Sequence, residues 1–298
     1  MSVRIGINPL TWTNDDLPEL GADTPLETCL SEGREAGFAG FELGQKFPRA
    51  PEVLGPILNA HGLSLVSGWY SSQLLERSAA EEIEALQSHL HLLKALGARV
   101  MVFAEVSGCI HGLRDVPLSQ RPVMTDSQWR LFSERLSEVA DYLQEQGVRM
   151  AYHHHMGTVV ESEAEVDRMM ESTAPSVGLL LDGGHLTYAG GDPVRVARKW
   201  AARIVHVHCK DVRLDVLAQR KAIDSSFLES VLAGVFTVPG DGGVNYAGVL
   251  SVLADARYQG WLVVEAEQDP AKAHPLTYAS LGYRNLSALA RQAGLTAG

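Results

Sequence analysis

The sequence predicts an α/β protein, a single (β/α)8 TIM-type barrel over residues 1–298. Short apolar runs alternate with helical patterns along the whole chain, and each kind recurs often enough to close a barrel. Four runs in the second half end on a metal-ligand residue type. They are Arg149 to His153, Val177 to Asp182, Ile204 to His208 and Trp261 to Glu265. Strands of a parallel barrel deliver their C-terminal ends to one mouth, so four such residues, distant in sequence, would meet there.

Taken in order, strands are expected at about 3–7, 39–43, 63–68, 99–103, 149–153, 177–182, 204–208 and 261–265. Helices are expected at about 25–36, 51–60, 79–96, 127–146, 161–172, 193–202, 246–256 and 276–292. Thr24-Pro25-Leu26-Glu27 reads as a helix start with a capping threonine and a proline in the first turn. Ser78-Ala79-Ala80-Glu81 and Thr125-Asp126-Ser127-Gln128 read as capping boxes, and Asp192-Pro193 opens another helix. Gly37, Gly97 and Gly147 follow helical runs, where a left-handed residue ends a helix at least cost. Ile83, Leu86, Leu90, Leu93 and Leu96 form a stripe that packs on the barrel. Two connections are long, Glu105 to Ser127 and Cys209 to Tyr246. Both follow strands, so both belong at the catalytic face as binding loops.

Composition fits this picture. At 46% hydrophobic and 20% charged the chain is ordinary globular protein. Its length suits one barrel. Cys29, Cys109 and Cys209 have no CxxC spacing, which points to a reducing cytoplasm. The N-terminus runs into a strand without a signal-peptide pattern. No apolar run reaches the ~18 residues of a membrane helix. A net charge of -11 disfavours nucleic acid as a partner. The outer helices of a barrel leave a homo-oligomer open.

The candidate chemistry lies at the strand ends. Asp182-Gly183-Gly184-His185 sets a carboxylate before a tight turn, although Asp182 could simply cap that turn. In His206-Val207-His208-Cys209-Lys210 the two histidines and the lysine share one face. His208 is the better ligand, and His206, a layer deeper, is a core or supporting histidine. His153 and His155 share a face likewise, as do Glu265 and Glu267; either histidine could be the fifth-strand ligand. Two imidazoles and two carboxylates suit a divalent metal with open positions, Mn²⁺ or Co²⁺ among them. Glu42 is a carboxylate in an apolar strand, either structural or functional. Asn8, Trp12, Lys46, Trp69 and Glu105 sit just beyond strand ends, where they could line a pocket.

At these residues the chain resembles the sugar isomerase/epimerase-like (xylose isomerase-like) barrels. In that superfamily Glu, Asp, His and Glu at the ends of strands five to eight bind a metal. Asp182, His208 and Glu265 match three positions, and the Asp-x-x-His spacing of Asp182 and His185 matches too. His153 stands in place of the first Glu. The stretches Ile7-Asn8-Pro9-Leu10-Thr11-Trp12-Thr13-Asn14-Asp15-Asp16 and Glu32 to Gly44 resemble, more closely, the inosose dehydratase family.

That resemblance implies a hydro-lyase that takes water from scyllo-inosose, a cyclitol ketone, to give a trihydroxycyclohexane-1,2-dione. It implies a metal on His153, Asp182, His208 and Glu265. Proton transfer would fall to His155, His185 and Lys210, and substrate contacts to Glu42, Lys46, Asn8 and Trp12. The alternative is a metal-dependent ketose epimerase or isomerase on the same fold. Ketose epimerases pair glutamates on strands five and eight, and His153 removes one of that pair.

Overall fold

The strands form where the apolar runs place them in the computed structural model, which describes residues 2–297. They are β1 (Ser2–Ile7), β2 (Gly40–Phe41), β3 (Ser64–Leu65), β4 (Trp69–Ser72), β5 (Val100–Glu105), β6 (Arg149–His153), β7 (Val177–Asp182) and β8 (Ile204–Cys209). There follow β9 (Asp211–Val212), β10 (Phe236–Thr237), β11 (Trp261–Val264) and β12 (Thr296–Ala297). The main sheet is parallel and runs β3-β2-β1-β11-β8-β7-β6-β5-β4. Its two ends are successive stretches of one stave. Val66 N–H still bonds Phe41 O, while Gly68 O already accepts from Val102 N–H. The third stave thus changes partner at Ser67, and the barrel closes.

The helices return the chain outside the barrel, through α1 (Leu26–Ala36), α2 (Pro51–Ala60), α3 (Ala79–Ala85), α4 (Gln87–Ala95), α5 (Asp126–Glu145) and α6 (Glu163–Ser172). Then come α7 (Gly183–Tyr188), α8 (Pro193–Trp200), α9 (Leu214–Ala222), α10 (Phe227–Leu232), α11 (Tyr246–Asp255) and α12 (Pro275–Gln292). Reciprocal capping boxes at Ser78 and Thr125 form as expected, and Asp192 caps α8. Such caps contribute roughly 1 kcal/mol each. Gly37, Gly97 and Gly147 are left-handed. Two details differ from expectation. Thr24 caps nothing, because Pro25 takes the cap position and the Thr24 carbonyl accepts from Lys46. The helix expected over 79–96 is interrupted at Leu86, which ends α3 and begins α4.

Strand parity sorts each stave into two faces. Met150, Tyr152, Leu179, Leu181, Val207, Cys209, Leu262 and Val264 pack outward in the core shared with the helices. Ala151, Leu180 and Val263 point inward, within the small clusters that fill the barrel. The next inward position on these staves, and the one after His206, is the candidate ligand: His153, Asp182, Glu265 and His208. The connection between β8 and α11 is not a bare loop. It holds α9, α10 and the antiparallel β9–β10 pair, and builds its own apolar cluster with Phe227, Val231 and Phe236. No described helix is long and apolar enough to cross a membrane.

Candidate active site

Four strand ends bring His153, Asp182, His208 and Glu265 together, with their ligand atoms within 4.8 Å of one another and all four side chains buried. Each is aimed by its own neighbours. Asp182 Oδ1 accepts from the backbone N–H of His185 and caps α7, which leaves Oδ2 free. The two glycines between them are dictated by packing: a Cβ on Gly183 would lie 2.6 Å from Tyr246 Oη, and one on Gly184 2.6 Å from Lys210 Cγ. His153 Nδ1 lies 2.6 Å from the His154 carbonyl and donates to it, so its Nε2 carries the lone pair. That nitrogen is 3.7 Å from Asp182 Oδ2. His208 presents Nε2 to Glu42 and Nδ1 to the cluster.

This donor set fits a divalent cation. Asp182 Oδ2 and His208 Nδ1 are buried without a hydrogen-bond partner. Glu265 Oε2 is 2.7 Å from that same Nδ1, yet off the direction of an N–H bond, so proximity here is not satisfaction. Buried acceptors left facing one another cost free energy unless a proton or a metal lies between them. Burial, with His208 adding to it, holds the His153 imidazole well below its ordinary range, hence neutral and fit to ligate. Burial acts the same way on His208, but the Glu265 and Glu42 carboxylates outweigh it and hold its proton well above the usual range. Burial opposes ionisation of Glu265 too, and His208 and Lys210 overcome it, lowering the carboxyl to about 2.

Glu42 supports this cluster. Its Oε1 accepts from Ser67 Oγ at 2.6 Å and lies 2.8 Å from His206 Nε2, while Oε2 accepts from Asn8 Nδ2 at 2.8 Å. Glu42 also lines the pocket, where a substrate contact was expected, and there it accepts these protein donors as well. Asn8 lines the pocket and also reaches Glu265 Oε2 at 3.3 Å. Two other expected contacts lie elsewhere. The Lys46 ammonium is bound by the carbonyls of Gly21, Ala22 and Thr24. Trp12 is buried, gives its indole N–H to Glu32 at 2.6 Å and packs on Phe41. Neither lines the pocket, because both tie down the loop after β1. Glu105 also serves the fold, accepting from Ser72, Leu74 and Ser107.

The pocket above the cluster has a volume of about 290 Å³, near the lower end of the roughly 300–1,000 Å³ of small-ligand sites. Of the three residues expected to move protons, His155 alone lines it. His155 Nδ1 bonds the Met156 carbonyl at 2.9 Å, which leaves Nε2 as a lone-pair base. His185 packs behind it, with ring centroids 3.9 Å apart. Lys210 is fully buried, with Nζ 2.7 Å from Glu265 Oε1, 2.9 Å from His185 Nε2 and in close contact with Glu267. His185 and Lys210 thus stand behind the pocket wall. Phe227 and Phe236 from the β8–α11 connection cover these groups. The resulting desolvation, reinforced by nearby cations, keeps His155 and His185 well below the imidazole range. It also pushes Glu267 up to about 7 despite Lys210.

Sequence reasoning left out much of the opposite wall: Asp15, Asp16, Arg49, Ser71 and His111. Asp15 and Asp16 lay at the end of a stretch already notable for its resemblance. His111 comes from the long loop after β5, lies 3.8 Å from Asp16 and meets the His155 ring edge-to-face at 5.1 Å. Nothing local in sequence marks Arg49 or Ser71. Trp69 presents its ring edge-on to both His153 and His155.

Residues 30–287 match the family model described as xylose isomerase-like TIM barrel. The chain is 54% identical over 295 residues to the rhizopine catabolism protein MocC of Rhizobium meliloti, covering 99% of this chain and 90% of that one. It is 45% identical over 279 residues to an inosose dehydratase of Geobacillus thermodenitrificans, covering 93% and 94%. Among solved structures, an L-ribulose 3-epimerase superposes with a TM-score of 0.70 at 19% identity, over 98% of this chain and 96% of that one. The IOLI protein, solved with a binding zinc atom, superposes at 0.66 and 16% identity, over 98% of each.

Proposed function

The chain belongs to the xylose isomerase-like TIM-barrel family, and we propose that within it the protein is a hydro-lyase of the inosose dehydratase type. Its substrate is a cyclitol ketone, scyllo-inosose first, and its product a trihydroxycyclohexane-1,2-dione. The observation that carries this reading is the 44–45% identity to inosose dehydratases over 93% of the chain. The pocket supports it, being small, polar and acidic, with Trp69 in its wall. The 54% identity to a protein of rhizopine catabolism makes a related cyclitol ketone the second compound to assay.

His153, Asp182, His208 and Glu265 would hold a divalent ion, and the mixed imidazole and carboxylate set suits Mn²⁺ or Co²⁺. When bound, such an ion supplies Lewis acidity toward the negative charge that grows on the ketone oxygen. His155 Nε2 takes the proton from the carbon beside the ketone. The freed electron pair forms the carbon–carbon double bond as the hydroxyl leaves the next carbon. Glu267, protonated near neutrality, gives its proton to that hydroxyl, which departs as water. The enol hydroxyl left on the former α-carbon then gives up its proton as the β-carbon takes one, which makes the second carbonyl of the dione. Lys210 fixes both glutamates, and His185 braces His155. His153 in the fifth-strand position leaves no opposed glutamate pair of the ketose-epimerase kind.

The whole chain is read as one barrel domain. The net charge of -11 supports a small neutral substrate over a polyanion, and three free thiols support a reducing compartment, the cytoplasm. The test is mass-resolved turnover of scyllo-inosose by chelated protein and after Mn²⁺ or Co²⁺ is restored. Metal-dependent loss of one water is expected. Conversion of a ketose at unchanged mass, with inosose untouched, would overturn the reading in favour of an epimerase.

A further inference from the structure

At the opposite mouth of the barrel, where the strands begin, lies a second cavity of about 550 Å³. Arg4, Arg99, Arg149 and Arg257 line it, and no Asp or Glu does. That is unusual in a chain with 36 acidic residues against 25 basic ones. Among the described residues none of these four guanidiniums has an ion pair or a side-chain hydrogen bond. Elsewhere, by contrast, Arg121, Arg195 and Arg213 are paired with carboxylates. Arg149 Nε is buried and unpartnered. Arg4 lies 4.0 Å over the Trp261 ring, which with Val66 and Val205 makes an apolar floor.

A simpler role for the arginines would be to satisfy the carbonyl ends of the surrounding helices. Arg203 does that nearby, donating to the Met170 carbonyl in the last turn of α6 and to those of Ala174 and Val177 just beyond it. The four cavity arginines bond no carbonyl. Arg257 is further held at a φ of 57°, a left-handed position after α11 that ordinarily favours glycine. A guanidinium is thus kept at the mouth against backbone preference.

We propose that this N-terminal mouth binds a small, multiply charged phosphoryl or carboxylate anion through Arg4, Arg99, Arg149 and Arg257. Planar guanidiniums match both oxyanions bidentately, and their convergence without an internal counter-charge leaves the counter-ion to come from outside. The site is separate from the pocket at the other end of the barrel, and its ligand is not the cyclitol ketone.

The experiment is calorimetric titration of pyrophosphate, and separately of tricarballylate, into the metal-loaded protein and its R149Q, R4Q/R149Q and R257G variants. The wild type should bind one equivalent, more weakly as salt rises. Each arginine removed should weaken binding about tenfold or more. R257G relieves a left-handed residue, so its loss of binding should come with an unchanged or raised thermal midpoint. The tighter of the two ligands identifies the phosphoryl or carboxylate class. Heat that is the same in wild type and all variants would come from chelation at the distant metal ligands and would overturn the proposal, as would no binding of either anion.

Discussion

The carboxylate of Glu42 lies against one edge of His208, with Oε1 3.2 Å and Oε2 3.1 Å from Nε2. A histidine held this way keeps its hydrogen on Nε2 and turns Nδ1 toward Asp182 and Glu265, where a metal would replace the second proton. Burial would raise the Glu42 carboxyl, but His208 and the hydrogen bonds from both histidines hold it well below the usual range. Glu42→Gln preserves the shape and removes the charge. Metal affinity should fall about 10- to 100-fold, read by competition with a chromogenic chelator. Unchanged affinity would show that Glu42 serves only packing.

Metal binding and proton transfer separate by substitution. Asp182→Ala should lose bound metal and turnover together. His155→Gln should retain full metal content while kcat falls by about 10²- to 10⁴-fold. Metal analysis beside turnover distinguishes the two, and a His155 variant depleted of metal would make that residue a ligand instead.

The metal-free protein should be acid-labile above the range of ordinary carboxylate titration. Burial holds His153, His155 and His185 well below the imidazole range and lowers His154 to about 4. The unfolded chain takes up these protons from ~6.5 downward while the native state refuses them, so stability is complete above that value and is lost as pH falls toward 4. His154 alone accounts for about 2 kcal/mol by pH 5. His208, with its raised value, acts oppositely, stabilising below ~6.5 and losing that contribution as pH rises through its own titration. Glu267, raised to about 7, acts in the same sense as His208, so the expectation rests on four lowered histidines against these two groups. The thermal midpoint of chelated protein should drop between pH 7 and 5, and less steeply in His154→Leu. A flat profile would contradict the buried neutral histidines.

Lys210 is the one ammonium between Glu265 and Glu267, and burial alone would lower its pKa, yet those carboxylates hold it raised. Lys210→Met would leave two carboxylates buried without their cation. Chemical denaturation should show a loss of roughly 3–5 kcal/mol. A neutral result would mean that the glutamates are satisfied without it.

How far the site could be read beforehand depended on how local its geometry is. Strand parity is a period of two, visible in any short run, so the meeting of His153, Asp182, His208 and Glu265 followed from four runs and closure of a barrel. The same parity set His206 one layer below His208, where it meets Glu42. Position just after a strand was a poorer guide. Lys46 and Trp12 occupy such positions, but the 21–24 carbonyls and Glu32 claim them.

The sequence by itself determined the β/α alternation, most helix caps and the set of strand-end residues that meet at the mouth, because hydrophobic period and capping chemistry act over a few residues. Tertiary structure alone decided which polar groups reach solvent in the pocket. Lys210 and His185 share the face expected of catalytic groups, yet the folded β8–α11 connection places Phe227 and Phe236 over them and leaves His155 and Glu267 at the surface of the cavity. Burial of this kind sums contacts from segments far apart in the chain, and no local pattern encodes it.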